Sequence, residues 1–216
     1  MKEPSKKKWL NSYLEQDGRV IFLALCIVQV ALIFIQEDII GFRADFFDLL
    51  EDAGETGILY WLLRLQEIGG YLIVPLKIFI QVFFAGLMLW IGTFTFGFKI
   101  DFKALVKIAT LAYPSFFIAQ ILKILWFGFI NRNYTEFDLD HFHNFSMAIF
   151  WPMEDRVNTF AMLAKSLNPG LIIYLWLTVL LLAKVLNRPT KVSWPVVMVF
   201  IFGIGLLWKV FWEIIK

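Results

Sequence analysis

The side chains in this 216-residue chain that could do chemistry form two groups. The first is Lys77, Lys123 and Lys209, three lysines set inside apolar stretches. Gln81 follows Lys77, and Gln120 precedes Lys123, by one helical turn, so each glutamine shares a helix face with its lysine. Cations held at one depth in a bilayer would line a pocket for a small anion or an anionic lipid headgroup. The same lysines could instead run their stems out to the headgroup layer or pair with Glu37, Asp38 or Glu213. The second group is Asp138, Asp140, His141 and His143, within Asp138-Leu139-Asp140-His141-Phe142-His143. Carboxylate and imidazole suit Zn²⁺ or a similar cation. The spacing follows no established metal motif, however, and a solvated acidic loop accounts for it better.

Nothing else in the chain resembles a reaction centre. There is no HExxH, GxSxG, phosphate-binding glycine loop or dinucleotide fingerprint. The single cysteine, Cys26, excludes an intramolecular disulfide and a cysteine-built metal cage. The expectation is a protein with no cofactor and no catalytic activity.

The elements that must position these residues are membrane helices. Apolar stretches run over about 20–36, 70–94, 104–130, 169–187 and 195–214. Each is near the roughly 20 residues a helix needs to cross the hydrocarbon core. No water is available there to satisfy backbone N–H and C=O groups, so the stretches should be helical. Hydrophobic residues make up 60% of the chain, which includes 24 Phe and 9 Trp, more aromatic surface than a soluble domain of this size could bury. The fold class expected is therefore all-α: a polytopic integral membrane protein, a bundle of five transmembrane helices forming one domain over 1–216. A net charge of only +2 argues against a nucleic-acid partner.

Lysine and arginine counts orient the bundle. Segments 1–19, 95–107 and 184–192 carry 5, 3 and 3, whereas the longer segments 37–69 and 131–168 carry 2 and 3. The richer set alternates as five crossings require and should be cytoplasmic. That places the N-terminus inside and the C-terminus outside. The first stretch has a basic flank but no small-x-small site after it, so it reads as a retained helix rather than a cleaved leader.

Several finer features follow. Trp9, Leu10, Tyr13 and Leu14 beside Lys6–Lys8 suit a short helix lying on anionic lipid, though a simple topology anchor accounts for the tail better. Ile58 to Leu65 is either an interfacial helix or an early start of the second crossing, with Gly69–Gly70 breaking or bending the chain after it. Pro75 and Pro114 should kink the second and third helices. Asp101 should cap the third, Asn168–Pro169 should open the fourth, and Ser193 should mark the start of the fifth. Val157, Phe160, Ala161, Ala164 and Leu167 recur at helical spacing, which predicts an amphipathic helix in the second outer loop. No internal repeat is present, so an inverted-repeat transporter is not supported.

Several of these residues also carry a family likeness. A Gly/Phe-rich turn, Gly92-Thr93-Phe94-Thr95-Phe96-Gly97-Phe98, leads to Phe102-Lys103-Ala104-Leu105 and then to Ala112-Tyr113-Pro114 in the next helix. Leu167-Asn168-Pro169 and Asn187-Arg188-Pro189 follow. Over about residues 70–214 the chain resembles the Yip1 family of five-helix membrane proteins. The resemblance implies a bacterial inner-membrane member, and a role in organising membranes and binding a membrane protein partner rather than in catalysis.

Overall fold

A computed structural model of the chain describes residues 17–39, 58–131, 134, 142, 145–147, 164 and 167–205, with the backbone course alone for 37–39 and 58–68. Among the described residues the secondary structure is helical, with no strand. The helices are α1 (Gly18–Ile39), α2 (Ile58–Thr95), α3 (Phe102–Ala112), α4 (Ser115–Leu125), α5 (Pro169–Val185) and α6 (Thr190–Val196). α4 runs into a π-helical turn, Trp126–Ile130, and α6 into a π-helical segment, Val197–Gly203.

Three stretches are long and apolar enough to cross a bilayer: Gly18–Gln36, Gly69–Thr95 and Phe102–Ile130. Pro169–Val185 and Thr190–Gly203 are apolar but shorter. The all-α expectation thus holds for the described residues, with three full-length candidate spans and two shorter apolar helices.

Several local expectations change. Gly69 and Gly70 do not break the helix; α2 continues through them from Ile58, and the stretch long and apolar enough to cross a bilayer begins at Gly69. Glycine permits a bend without requiring one, and an apolar helix has strong reason to keep its backbone bonds internal. Pro75 also stays within α2. Asp101 occupies the position before α3, but its carboxylate makes no capping hydrogen bond; the Asp101 carbonyl accepts from Ala104 N at 3.0 Å instead. Asn168 caps as expected, its Oδ1 accepting from Leu171 N at 2.8 Å with Pro169 in the first turn. The last helix begins at Thr190 rather than at Ser193, and Pro195 lies inside it. Pro195 is the sixth residue of this helix, past the first turn, so its missing N–H leaves the Lys191 carbonyl without the usual helical donor.

At Pro114 the regular hydrogen bonding of the third span is interrupted, while the backbone of Tyr113 and Pro114 stays in the helical region. Proline supplies no N–H, so Tyr113 N is shared between the carbonyls of Ala109 (3.1 Å) and Thr110 (3.3 Å). Phe116 N and Phe117 N then close tight turns onto the carbonyls of Tyr113 and Pro114, each at 3.0 Å.

Contacts set the helix directions. Gly86 lies against Val106, and Gln81 meets Tyr113, so α2 and α3 run antiparallel. Gly18 lies beside Lys107 and Gln29 meets Gln120, so α1 runs parallel to the third span. Gly170 sits against the Ser115 carbonyl, just past the end of α3, and α5 packs back along α3 in the one main core, so α5 is antiparallel to α3. α5 therefore starts level with the Pro114 break, leaving roughly 22 Å of the third span rising above it at 1.5 Å per residue.

The main core joins α2, α3, α5 and the last helix through Leu89, Leu105, Ile108, Leu182 and Val197, among others. A second cluster ties α1 to α2 and α3 through Leu25, Cys26, Ile78 and Tyr113. Small residues allow close crossings. A Cβ at Gly86 would come within 2.7 Å of Val106 Cγ2, and one at Gly92 within 2.9 Å of Phe200 and Val196.

Candidate functional site

Two hydrogen bonds between polar side chains of different helices lie one on each side of the Pro114 break. Tyr113 donates its hydroxyl to Gln81 Oε1 at 2.7 Å, joining the end of α3 to α2. Gln29 donates Nε2 to Gln120 Oε1 at 3.1 Å, joining α1 to α4. In hydrocarbon an unpaired amide is costly, so each glutamine needs such a partner.

The hydroxyls are spent locally. Thr93, Thr110, Ser115 and Thr178 donate to the carbonyls of Trp90, Val106, Ala112 and Tyr174 at 2.7–3.0 Å, the bonds helical Ser and Thr make with the preceding turn. Ser193 Oγ is buried and has no partner among the described residues.

Of the site residues expected from sequence, Lys77 and Gln81 are exposed on α2, and Gln120 and Lys123 are half-buried on α4. Lys209, Asp138, Asp140, His141 and His143 lie outside the described residues, as does most of the segment expected as an outer amphipathic helix and all of the basic tail over 1–16. Among the described residues no three His, Cys, Asp or Glu side chains group as a metal site. The structure gives both candidate glutamines a helix-joining role. Their partners, Gln29 and Tyr113, were not singled out as site residues by sequence. The available signal was Gln29 itself, a lone amide in an apolar stretch.

Above the level where α5 starts, aromatic rings cover the third span. Phe127 packs edge-on against Tyr134 at 5.0 Å and Phe142 at 4.8 Å, and Trp126 meets Phe142 and Phe145. Met147 N donates to the Leu167 carbonyl at 3.2 Å, closing the connection on itself near the start of α5.

The periphery of the described residues also carries a concave feature. An open groove of about 530 Å³ runs along α1, lined by Cys26, Ile27, Val30, Ala31, Phe34 and Ile35. α1 is lightly attached, with only Leu25 and Cys26 buried among its described side chains. Its outward stripe, Val20, Ala24, Ile27, Ala31 and Phe34, repeats at intervals of three and four.

No family model, curated protein or solved structure matches the chain.

The Tyr113–Gln81 link gives a direct test. Tyr113→Phe and Gln81→Leu should each lower stability by about 1 kcal/mol, and the double variant should fall short of their sum by a similar amount. Equilibrium unfolding of the four proteins in mixed micelles measures the coupling, and full additivity would show that the bond contributes nothing.

Proposed function

We propose that the chain is a non-enzymatic, five-crossing protein of a bacterial inner membrane, N-terminus cytoplasmic and C-terminus extracytoplasmic, that serves as a subunit or scaffold in a membrane protein assembly. The observation that carries this reading is the exposed, grooved face of α1. α1 packs on the bundle along one face only, through Leu25, Cys26 and the Gln29–Gln120 bond, and its opposite face is left for another helix. Ala24 and Ala31 lie on that stripe seven residues apart, and small residues at such spacing let a second backbone approach closely. Membrane helices gain little from hydrophobicity alone, so close packing of this kind is the main source of their association. The Yip1 resemblance points the same way, toward partner binding rather than catalysis.

The test is gentle extraction from native membranes followed by mass spectrometry of everything that co-purifies. A stoichiometric membrane protein is expected, retained by the parent chain and lost from an Ala31→Phe variant that still folds. Recovery of the chain alone would overturn the assembly reading, and a partner indifferent to Ala31→Phe would move the contact away from α1. A second reading, a transporter or binder of an anionic lipid or small anion through Lys77, Lys123 and Lys209, draws on the exposure of Lys77 at membrane depth. It has less support, because Gln81 and Gln120 already serve as links between helices.

A further inference from the structure

We infer that the basic end of the bundle is a binding surface for the headgroups of anionic phospholipids, centred on the turn between α5 and α6. That turn reverses the chain tightly. Asn187 takes a positive φ of 50°, its N–H donates to the Lys184 carbonyl at 3.1 Å, and Arg188 N donates to the Ala183 carbonyl at 3.0 Å. This closure satisfies the last carbonyls of α5 and is the usual way a helix ends in a left-handed residue. It holds Lys184, Arg188 and Lys191 on one short turn, and no acid occurs anywhere in 184–192. Lys184 is half-buried, and Arg188 and Lys191 are exposed.

Two more elements bring cations to the same end. Phe98, Ile100, Val185 and Leu186 all pack against the one main core, and a Cβ at Gly92 near the end of α2 would meet Val196 of the last helix at 2.9 Å, which brings the α2–α3 turn and the α5–α6 turn to the same end of the bundle. Lys99, Lys103 and Lys107 follow from that turn at intervals of four, with Asp101 as the one acid among them. A Cβ at Gly18 would lie 3.9 Å from Lys107 Cγ, so the start of α1 and its Arg19 join the same surface. Asp17 there is occupied, accepting from Arg19 N at 3.0 Å. Lys103 and Lys107 stand one turn apart along the helix axis, about 6 Å, a spread that fits within the headgroup layer. Phe94, Phe96 and Trp194 are exposed and lie within five residues of Lys99 or Lys191 in sequence, where aromatic rings settle at a membrane interface.

The charge balance selects a headgroup with net negative charge over a zwitterionic one, because the choline or ethanolamine nitrogen of the latter would face the same cations. The exposed Phe and Trp rings select a lipid over a free anion, since they give acyl chains a surface that inorganic phosphate would not use. The surface is separate from Lys77 and Lys123, which lie toward the other end of the bundle.

The experiment is native mass spectrometry of the full chain, purified in detergent and offered an equimolar mixture of phosphatidylglycerol and phosphatidylcholine. Phosphatidylglycerol should be retained about tenfold in preference. The combined variant Lys184→Gln, Arg188→Gln, Lys191→Gln should lose most of that preference, whereas Lys77→Gln should keep it. Thermal unfolding of each variant in the same detergent shows whether the fold survives. If the triple variant is unfolded, Arg188→Gln alone replaces it and should lower the preference by several-fold. Equal retention of the two lipids by the parent chain would overturn the inference. So would an unchanged preference in a folded variant, or a stabilisation by inorganic phosphate alone as large as that by phosphatidylglycerol.

Discussion

Replacing Phe127 with alanine should cost about 3–5 kcal/mol, the range for deleting a large buried aromatic side chain. Phe127 is 2% exposed in the π-helical turn above α4, packed with Ile124 and contacted by the rings of Tyr134 and Phe142. Lipid could fill a cavity that opens outward, so the cost depends on how closed the site is. The small exposure of Phe127 argues for the full penalty. The effect should also be directional. Tyr134 and Phe142 belong to the long connection after the third span, and Phe127 is the ring they share. Its loss should free that connection and leave the contacts among α2, α3 and α5 in place. Limited proteolysis of the protein in bicelles should then show new cuts within 131–168 and none in the α2–α3 turn. Cuts spread over both regions would mean that Phe127 supports the whole bundle. An unchanged pattern and unchanged stability would mean that the rings merely touch.

How much of this was legible in the sequence can be judged residue by residue. Helix existence was readable because the requirement is collective: a long apolar run has no other way to satisfy its backbone in lipid. The Asn168–Pro169 start of α5 and the interruption at Pro114 were readable because each rests on local covalent chemistry, a side-chain acceptor and a missing N–H. Gly69–Gly70 misled because glycine's freedom is decided by its surroundings, and no heavy atom lies within 4 Å of a Cβ built at either position. The start of the last helix was misplaced by three residues because Ser193 has the right type for a cap but is buried inside the element instead.

The polar links show the same limit more sharply. Gln81 and Gln120 stood out as polar residues in apolar helices, and pairing each with the lysine one turn away was the only arrangement that spacing within a single helix could suggest. Their partners came from other helices. Tyr113 lies 32 residues from Gln81, and Gln29 lies 91 residues from Gln120. No periodicity reports which faces meet across such separations. The small residues at the crossings, Gly86 and Gly92, were equally silent, since in sequence they look like any other glycine in a membrane helix.

Gly170 is the crossing where a single methyl group should do the most damage. A Cβ there would come within 2.9 Å of the Ser115 carbonyl oxygen, 3.3 Å of Phe116 Cα and 3.2 Å of Asn168 Oδ1. Two of the three are backbone atoms, and they belong to the tight turns that follow Pro114, so they cannot swing aside as a side-chain tip would. The third is the oxygen that caps α5. Gly170→Ala must therefore push α5 away from α4, loosen the cap, or both, and overpacking of this kind costs about 1–3 kcal/mol. The stacked pair Phe116–Tyr174, with centroids 4.9 Å apart, crosses the same seam and should separate with it. The matched control is Gly69→Ala. Gly69 lies in a helix with open space around it, where alanine should stabilise by about 0.5–1 kcal/mol. The two substitutions add the same atom to the same residue type in the same solvent, so opposite signs in one unfolding assay would isolate the close approach as the cause. If Gly170→Ala is as benign as Gly69→Ala, α5 does not rest on the Ser115 carbonyl, and its start is not fixed at the Pro114 break.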